Sequence, residues 1–146
     1  MKFFVAAVVS SLFAVATVTA ECPEVTRFGR FNVSPTSLSS GDSVTINANF
    51  TCAKQLGYVA TYTDYYIEVP TNNNGHEPSV MLARRQLAED ATTDSFTVQI
   101  PYGYYFPNAS YVIALVNTYA TDGTNGLPIY QVGGLSASVN ITSTVS

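Results

Sequence analysis

Residues 94–117 read DSFTVQIPYGYYFPNASYVIALVN, and no other stretch restricts the fold as much. Phe96, Val98 and Ile100 alternate with Ser95, Thr97 and Gln99, the period of two of a strand with one face on a core and the other in water. Pro101 and Pro107 then bracket Tyr102, Tyr104, Tyr105 and Phe106. Proline has no N–H to give a ladder, so pairing must stop there and restart after Asn108. From Tyr111 onward both phases are apolar, Tyr111/Ile113/Leu115 in one and Val112/Ala114/Val116 in the other. That predicts a central strand covered on at least one face.

Segments on either side repeat the pattern. Arg30-Phe31-Asn32-Val33 alternates, and Pro35 ends or bends it, as at a sheet edge. Ser39-Ser40-Gly41-Asp42 is a turn. Residues 43–52 form a strand with Val44, Ile46, Ala48 and Phe50 in one phase and Thr45, Asn47, Asn49 and Thr51 in the other. A further strand covers residues 62–69, followed by a loop at 71–75. Residues 79–87 suit a strand or a short helix, residues 121–126 are a polar loop, and 129–132 and 135–141 are extended. About seven strands at intervals of roughly 10 to 15 residues, with no long amphipathic helix, predict an all-β chain. The expected architecture is an antiparallel β-sandwich of the immunoglobulin or fibronectin kind, with an up-and-down barrel as the alternative. In such sandwiches a tyrosine at the start of a central strand packs inward and ties its hydroxyl to nearby backbone, and Tyr111 is the candidate.

Residues 1–20 carry the pattern of a secretory signal: Lys2, an apolar run over 3–18, and the small-residue cleavage site Val18-Thr19-Ala20. Ser10, Ser11 and that cleavage pattern argue against a membrane anchor. The expected mature chain, residues 21–146, suffices for a single domain with its own core. In an oxidising compartment its two cysteines, Cys22 and Cys52, are expected to form a disulfide that pins the new N-terminus to the end of strand 43–52. By the chain-entropy account this contributes roughly 3 to 4 kcal/mol. The formal net charge of −4, without clustered Lys or Arg, argues against nucleic acid and anionic membrane surfaces as partners. Residues 135–146 are rich in Ser, Thr and Val and lack the apolar tail of a glycolipid anchor signal. The product is therefore expected outside the cell or in a wall.

Asn32, Asn49, Asn108 and Asn140 each begin an Asn-x-Ser/Thr sequon. A glycan must point into water, so each asparagine tests the strand phase assigned from the apolar residues. Asn32 alternates with Phe31 and Val33, Asn49 with Ala48 and Phe50, and Asn140 with Val139 and Ile141, while Asn108 falls in the corner loop. Glycans on the first two strands would cover the outer face of their sheet and leave the opposite sheet open. There Tyr62, Asp64, Tyr66 and Glu68 share one phase, opposite Tyr65, Ile67 and Val69. Tyrosines can stack on sugar faces and carboxylates can accept from sugar hydroxyls, so this row is the expected recognition surface. The plainer alternative is cross-strand packing of exposed aromatics.

Catalytic chemistry is sparse. The single histidine, His76, lies in a Gly/Asn/Pro loop and there is no Gly-x-Ser-x-Gly elbow, so no Ser-His-Asp triad is expected. Asp64, Glu68, Glu77, Glu89 and Asp94 leave a carboxylate-pair glycosidase open as the alternative, since separation in space cannot be read from sequence. One histidine cannot supply an imidazole pair to copper, and Asp122 to Asn125 reads as a hairpin loop rather than a calcium site. No metal or cofactor is expected. Arg84-Arg85 is a dibasic pair that a processing protease would cut only on an accessible, flexible backbone; an exposed strand is expected instead.

Ser34-Pro35-Thr36 through Gly41 to Val44-Thr45-Ile46, together with Asn108-Ala109-Ser110-Tyr111-Val112-Ile113, resembles the N-terminal immunoglobulin-like domain of fungal cell-wall synthesis proteins of the Kre/Knh type. Fibronectin type III modules are similar more loosely. The likeness spans most of the mature chain, without the tryptophan often found in that family and without a Ser/Thr-rich stalk. It implies an extracellular, non-enzymatic role at a wall or cell surface and a fungal source, and transfers no binding residue. The expected function is that of a secreted, N-glycosylated module binding a wall polysaccharide or an extracellular protein. A small glycan hydrolase, or a structural or effector protein with no small ligand, is the alternative.

Overall fold

A computed structural model describes residues 21–144; the expected secretory signal lies outside the described residues. The strands are β1 (Arg30–Ser34), β2 (Ser37–Ser39), β3 (Ser43–Asn49), β4 (Ala60–Glu68), β5 (Val80–Arg85), β6 (Thr93–Gln99), β7 (Val112–Asp122), β8 (Pro128–Ser138) and β9 (Asn140–Thr142). One short helix, α1 (Thr51–Gln55), follows β3. Two antiparallel sheets, in the orders β1-β3-β6 and β5-β4-β7-β8, face each other, and β2 and β9 pair in parallel as a third, small sheet. The layer between them holds Val33, Val44, Ile46, Tyr65, Ile113 and Leu115 among others. This is the all-β sandwich that the alternation predicts, and because its two main sheets stay separate the barrel alternative falls.

The period of two maps directly onto burial. In β3, Val44 and Ile46 are fully buried while Asn47 and Asn49 are exposed, because successive side chains leave opposite faces of a pleated strand. Strand β7 is buried on both faces through most of its length. It lies between β4 and β8 in the sheet, which explains its two apolar phases.

The 94–117 stretch crosses the sandwich: β6 belongs to the three-stranded sheet and β7 to the four-stranded one. Tyr111 anchors the crossing as expected. It is 2% exposed, its ring meets Tyr105 edge-on at 5.4 Å between centroids, and its hydroxyl accepts the Phe106 N–H at 2.9 Å. The same hydroxyl donates to the Glu77 carboxylate at 2.8 Å. Burial, reinforced by that carboxylate, pushes the phenol far above its usual range, so it remains a neutral donor.

Four details differ from the sequence reading or complete it. Residues 79–87 resolve as the edge strand β5. Strand β3 ends at Asn49, whose side chain accepts the Thr51 N–H at 2.9 Å, and the chain turns into α1. The Cys22–Cys52 disulfide, with 5.3 Å between Cα atoms, therefore pins the N-terminal arm to a helix rather than to a strand end. The third concerns Gly133 and Gly134, which read as a break yet lie within the single strand β8. A Cβ at Gly133 would run into the Phe28 ring, and one at Gly134 into the Leu115 carbonyl oxygen. Close approach, not chain reversal, requires these glycines. Finally, the count rises above the expected seven because Leu38 and Ile141 bring two three-residue strands together at the rim.

The arm that Gly133 accommodates is fixed by polar groups as well. Asn117, 1% exposed, donates to the Phe28 carbonyl oxygen at 2.8 Å and accepts from the Thr63 hydroxyl at 2.7 Å. Phe28, Tyr58 and Tyr119 form an aromatic cluster with centroids 5.3 to 6.0 Å apart.

Candidate functional site

Strand β4 alternates Tyr65 and Ile67 into the core, so Tyr62, Asp64, Tyr66 and Glu68 fall on the outer face of the four-stranded sheet. The phase is as expected, but one member is not open to solvent. Asp64 is 4% exposed. Its register partner on β5 is Arg84, whose Nε reaches Oδ1 at 2.6 Å and whose second nitrogen reaches Oδ2 at 2.8 Å. Tyr66 donates its hydroxyl to Oδ2 at 3.2 Å, and the Arg84 guanidinium stacks 4.1 Å above the Tyr62 ring. The bidentate Arg84 bond lowers the Asp64 pKa against the opposing effect of burial, so the carboxylate stays ionised. Burial, with the Asp64 charge beside it, raises the Tyr66 phenol.

All four side chains thus take the expected outward phase, but Asp64 is not the open carboxylate expected of it: Arg84 covers it, and it positions its neighbours. Tyr62 and Tyr66 remain half-exposed, held apart by a rigid ion pair, and Glu68 is half-exposed with its carboxylate accepting from Ser79 at 3.0 Å. Beside them the outer row of β7, Val112, Ala114, Val116 and Thr118, makes a shallow floor that continues onto Gly134, Ser136 and Ser138 of β8. The result is a flat surface with a tyrosine ridge along one side.

Arg84 is the member that sequence reasoning missed. Consecutive strand residues point to opposite faces, and the dibasic pair divides accordingly. Arg84 goes outward to Asp64, while Arg85 forms a bidentate pair with Asp94 of the opposite sheet at 2.7 and 2.9 Å and lies over the Phe96 ring at 4.8 Å. The pairing of β4 with β5 shifts register between Tyr65 and Tyr66, so no fixed spacing in the sequence points from Arg84 to Asp64. Alternating charges on facing strands were the available signal.

The remaining carboxylates and the histidine lie elsewhere. Asp94 is committed to Arg85 and Glu77 to Tyr111, while His76 and Glu89 are exposed. No group of three or more His, Cys, Asp or Glu side chains able to hold a metal occurs among the described residues. Asp122 to Asn125 belongs to the β7–β8 hairpin, where the Gly123 N–H donates to the Leu127 carbonyl oxygen at 2.9 Å. All four sequon asparagines are exposed, with Asn32 and Asn49 on the outer face of the three-stranded sheet. A cavity of about 190 Å³ lies beside Tyr62, lined by Phe50, Tyr58, Leu87 and Lys54 among others. Other depressions, of about 340 to 500 Å³, lie away from this face, one of them between β1, β3 and β6 beside Asn32 and Asp94. A second aromatic surface, Tyr102, Tyr104 and Phe106, stands exposed at the corner beside the Asn108 sequon.

No protein-family model matches the chain, and no curated protein is significantly similar to it. The chain is an antiparallel β-sandwich stapled by one disulfide, and among its described residues no helix is long and apolar enough to cross a membrane.

Proposed function

We propose that the protein is a secreted, N-glycosylated binding module without catalytic activity, which recognises an extended polysaccharide of a cell wall or surface through the outer face of the four-stranded sheet. The observation that carries this reading is the Asp64–Arg84 ion pair, which stacks on Tyr62, bonds Tyr66 and leaves both rings half-exposed along a flat floor. A flat surface edged with aromatic rings suits a long chain that lies across it. It is less suited to a small molecule, which needs enclosure. The sequons support the same face, since they lie on the three-stranded sheet, the corner and β9 and spare the four-stranded sheet. The leader-like residues 1–20, the disulfide and the acidic net charge accord with secretion.

The hydrolase alternative is less favoured because Asp64 is tied to Arg84 and Tyr66, Asp94 to Arg85 and Glu77 to Tyr111. Among the described residues this leaves Glu68 and the exposed loop residue Glu89 without a second free carboxylate beside either on the candidate surface. A general acid or base needs a free proton site within reach of substrate. Retention on insoluble β-glucan, chitin and mannan tests the reading. Wild-type protein should be held by one of them, Tyr62→Ala with Tyr66→Ala should be released, and Tyr102→Ala with Tyr104→Ala should be held as before. Undiminished retention of the Tyr62/Tyr66 variant would place the binding surface elsewhere.

A further inference from the structure

We propose that the free edge of β8 pairs, antiparallel and across a two-fold axis through Val132, with the same edge of a second copy of this chain. The argument starts from the ladder. At the hairpin end the Gly123 N–H donates to Leu127 O at 2.9 Å, and at the far end the Val139 N–H donates to Tyr111 O at 3.0 Å. Hydrogen-bonded pairs alternate along an antiparallel ladder, and the register of β7 with β8 runs without a shift. The odd-numbered residues of β8 therefore bond to β7, while Tyr130, Val132, Gly134 and Ser136 turn N–H and C=O away from it. Those outward groups have no protein partner among the described residues. A row of directional donors and acceptors at strand spacing fits another strand.

Charge and shape make a second copy the occupant. Exposed edges are usually protected by charge or proline. The other edges of the two main sheets are: β1 carries Arg30 and runs into Pro35, β5 carries Arg84 and Arg85, and β6 carries Asp94, whereas β8 has a proline only at its first residue, Pro128, outside the Tyr130 to Gly134 span. No charged residue follows Asp122, so β8 carries none, and two copies of a net-acidic chain meet here without repulsion. Its distal half exposes Ile129 at 53%, Tyr130 at 61% and Val132 at 68%. Self-pairing about Val132 sets Tyr130 opposite Gly134 of the second copy and Ile129 opposite Leu135, a large side chain over a bare backbone and apolar against apolar. Val132, Tyr130 and Gly134 all turn outward, so this register yields on the order of six hydrogen bonds. The two four-stranded sheets become one continuous sheet. One strand edge buries less than the ~1,600 Å² of a standard interface, so the dimer is weak, in the micromolar range. No sequon lies on β8 or in its hairpin loop.

Sedimentation equilibrium of the secreted glycoprotein across micromolar concentrations tests this independently of any polysaccharide. The wild type should move from monomer to dimer with concentration. Val132→Lys sets like charges face to face and should raise the dissociation constant about tenfold or more, whereas Val59→Lys, an equally apolar exposed site elsewhere, should leave it unchanged. Val132→Cys should cross-link two copies under mild oxidation, because a hydrogen-bonded antiparallel pair holds Cα atoms about 5.5 Å apart, within disulfide reach; Thr124→Cys in the hairpin loop should not. A wild type that stays monomeric throughout overturns the proposal and leaves the edge to a strand of another protein or to none. So does a dimer indifferent to Val132→Lys, and a dimer in which Val132→Cys fails to cross-link overturns the register.

Discussion

Tyr111 donates to Glu77 at 2.8 Å from inside the sandwich, whereas Tyr66 donates to Asp64 at 3.2 Å from its outer face. Both are tyrosines at or beside a strand of the four-stranded sheet, each with a carboxylate for a partner. Tyr111 is 2% exposed and its hydroxyl also satisfies the Phe106 N–H, so losing it would empty a core position and take a partner from both that donor and the half-buried Glu77 carboxylate. Tyr66 is half-exposed, and water can replace whatever it gives up. The bond type is shared. Burial decides whether the pair holds the fold or shapes a surface.

Each of the following substitutions breaks or sharpens that contrast. Tyr111→Ala should cost about 3 to 5 kcal/mol, the range for emptying a buried aromatic site, measured by chemical denaturation. Tyr111→Phe keeps the ring and removes only the hydroxyl, and a loss of about 1 to 1.5 kcal/mol is expected from its hydrogen bonds with the Phe106 N–H and the Glu77 carboxylate. Tyr65 supplies the opposite sign. Its hydroxyl is buried with no partner, so Tyr65→Phe should raise stability by about 1 kcal/mol, and a drop would mean that the hydroxyl is satisfied.

Acid should act on the outer face. The folded Asp64 pKa lies below its unfolded value because Arg84 binds the ionised form. Its contribution is thus complete above the ordinary aspartate range near pH ~4 and is lost as pH falls through the lower, folded value. Thermal melts from pH 7 downward should show a smaller acid loss in Asp64→Asn than in the wild type, and equal losses would remove Asp64 from the account. Tyr66→Phe should change stability by no more than about 0.5 kcal/mol, as a half-exposed site allows. A cost matching that of Tyr111→Phe would erase the distinction.

Strand phase was legible because burial on one face imposes alternation: Val44 and Ile46 inward and Asn49 outward follow from the order of residue types. Tyr111 was legible for the same reason, combined with its place after Pro107. Contacts set by register were not. Arg84 meets Asp64 through a register shift, and Asn117 meets Thr63 and the Phe28 carbonyl oxygen through three elements brought together only by the fold. Residues 129–132 and 135–141 read as separate segments although β8 runs straight through Gly133-Gly134, because the Phe28 ring that requires bare backbone there lies more than a hundred residues away, beyond any local pattern. The outward phase of the β4 row was legible, but the burial of Asp64 depended on the strand beside it.

The central claim, that the outer face of the four-stranded sheet is the recognition surface, is tested most directly by titrating isotope-labelled protein with soluble β-glucan, chitin and mannan oligosaccharides and following the amide resonances. The account predicts that one oligosaccharide shifts Tyr62, Tyr66, Ala114 and Val116 while Asn47 and Thr97, on the outer face of the opposite sheet, stay in place. Shifts confined to Tyr102, Tyr104 and Phe106, or no shift with any of the three, would contradict it.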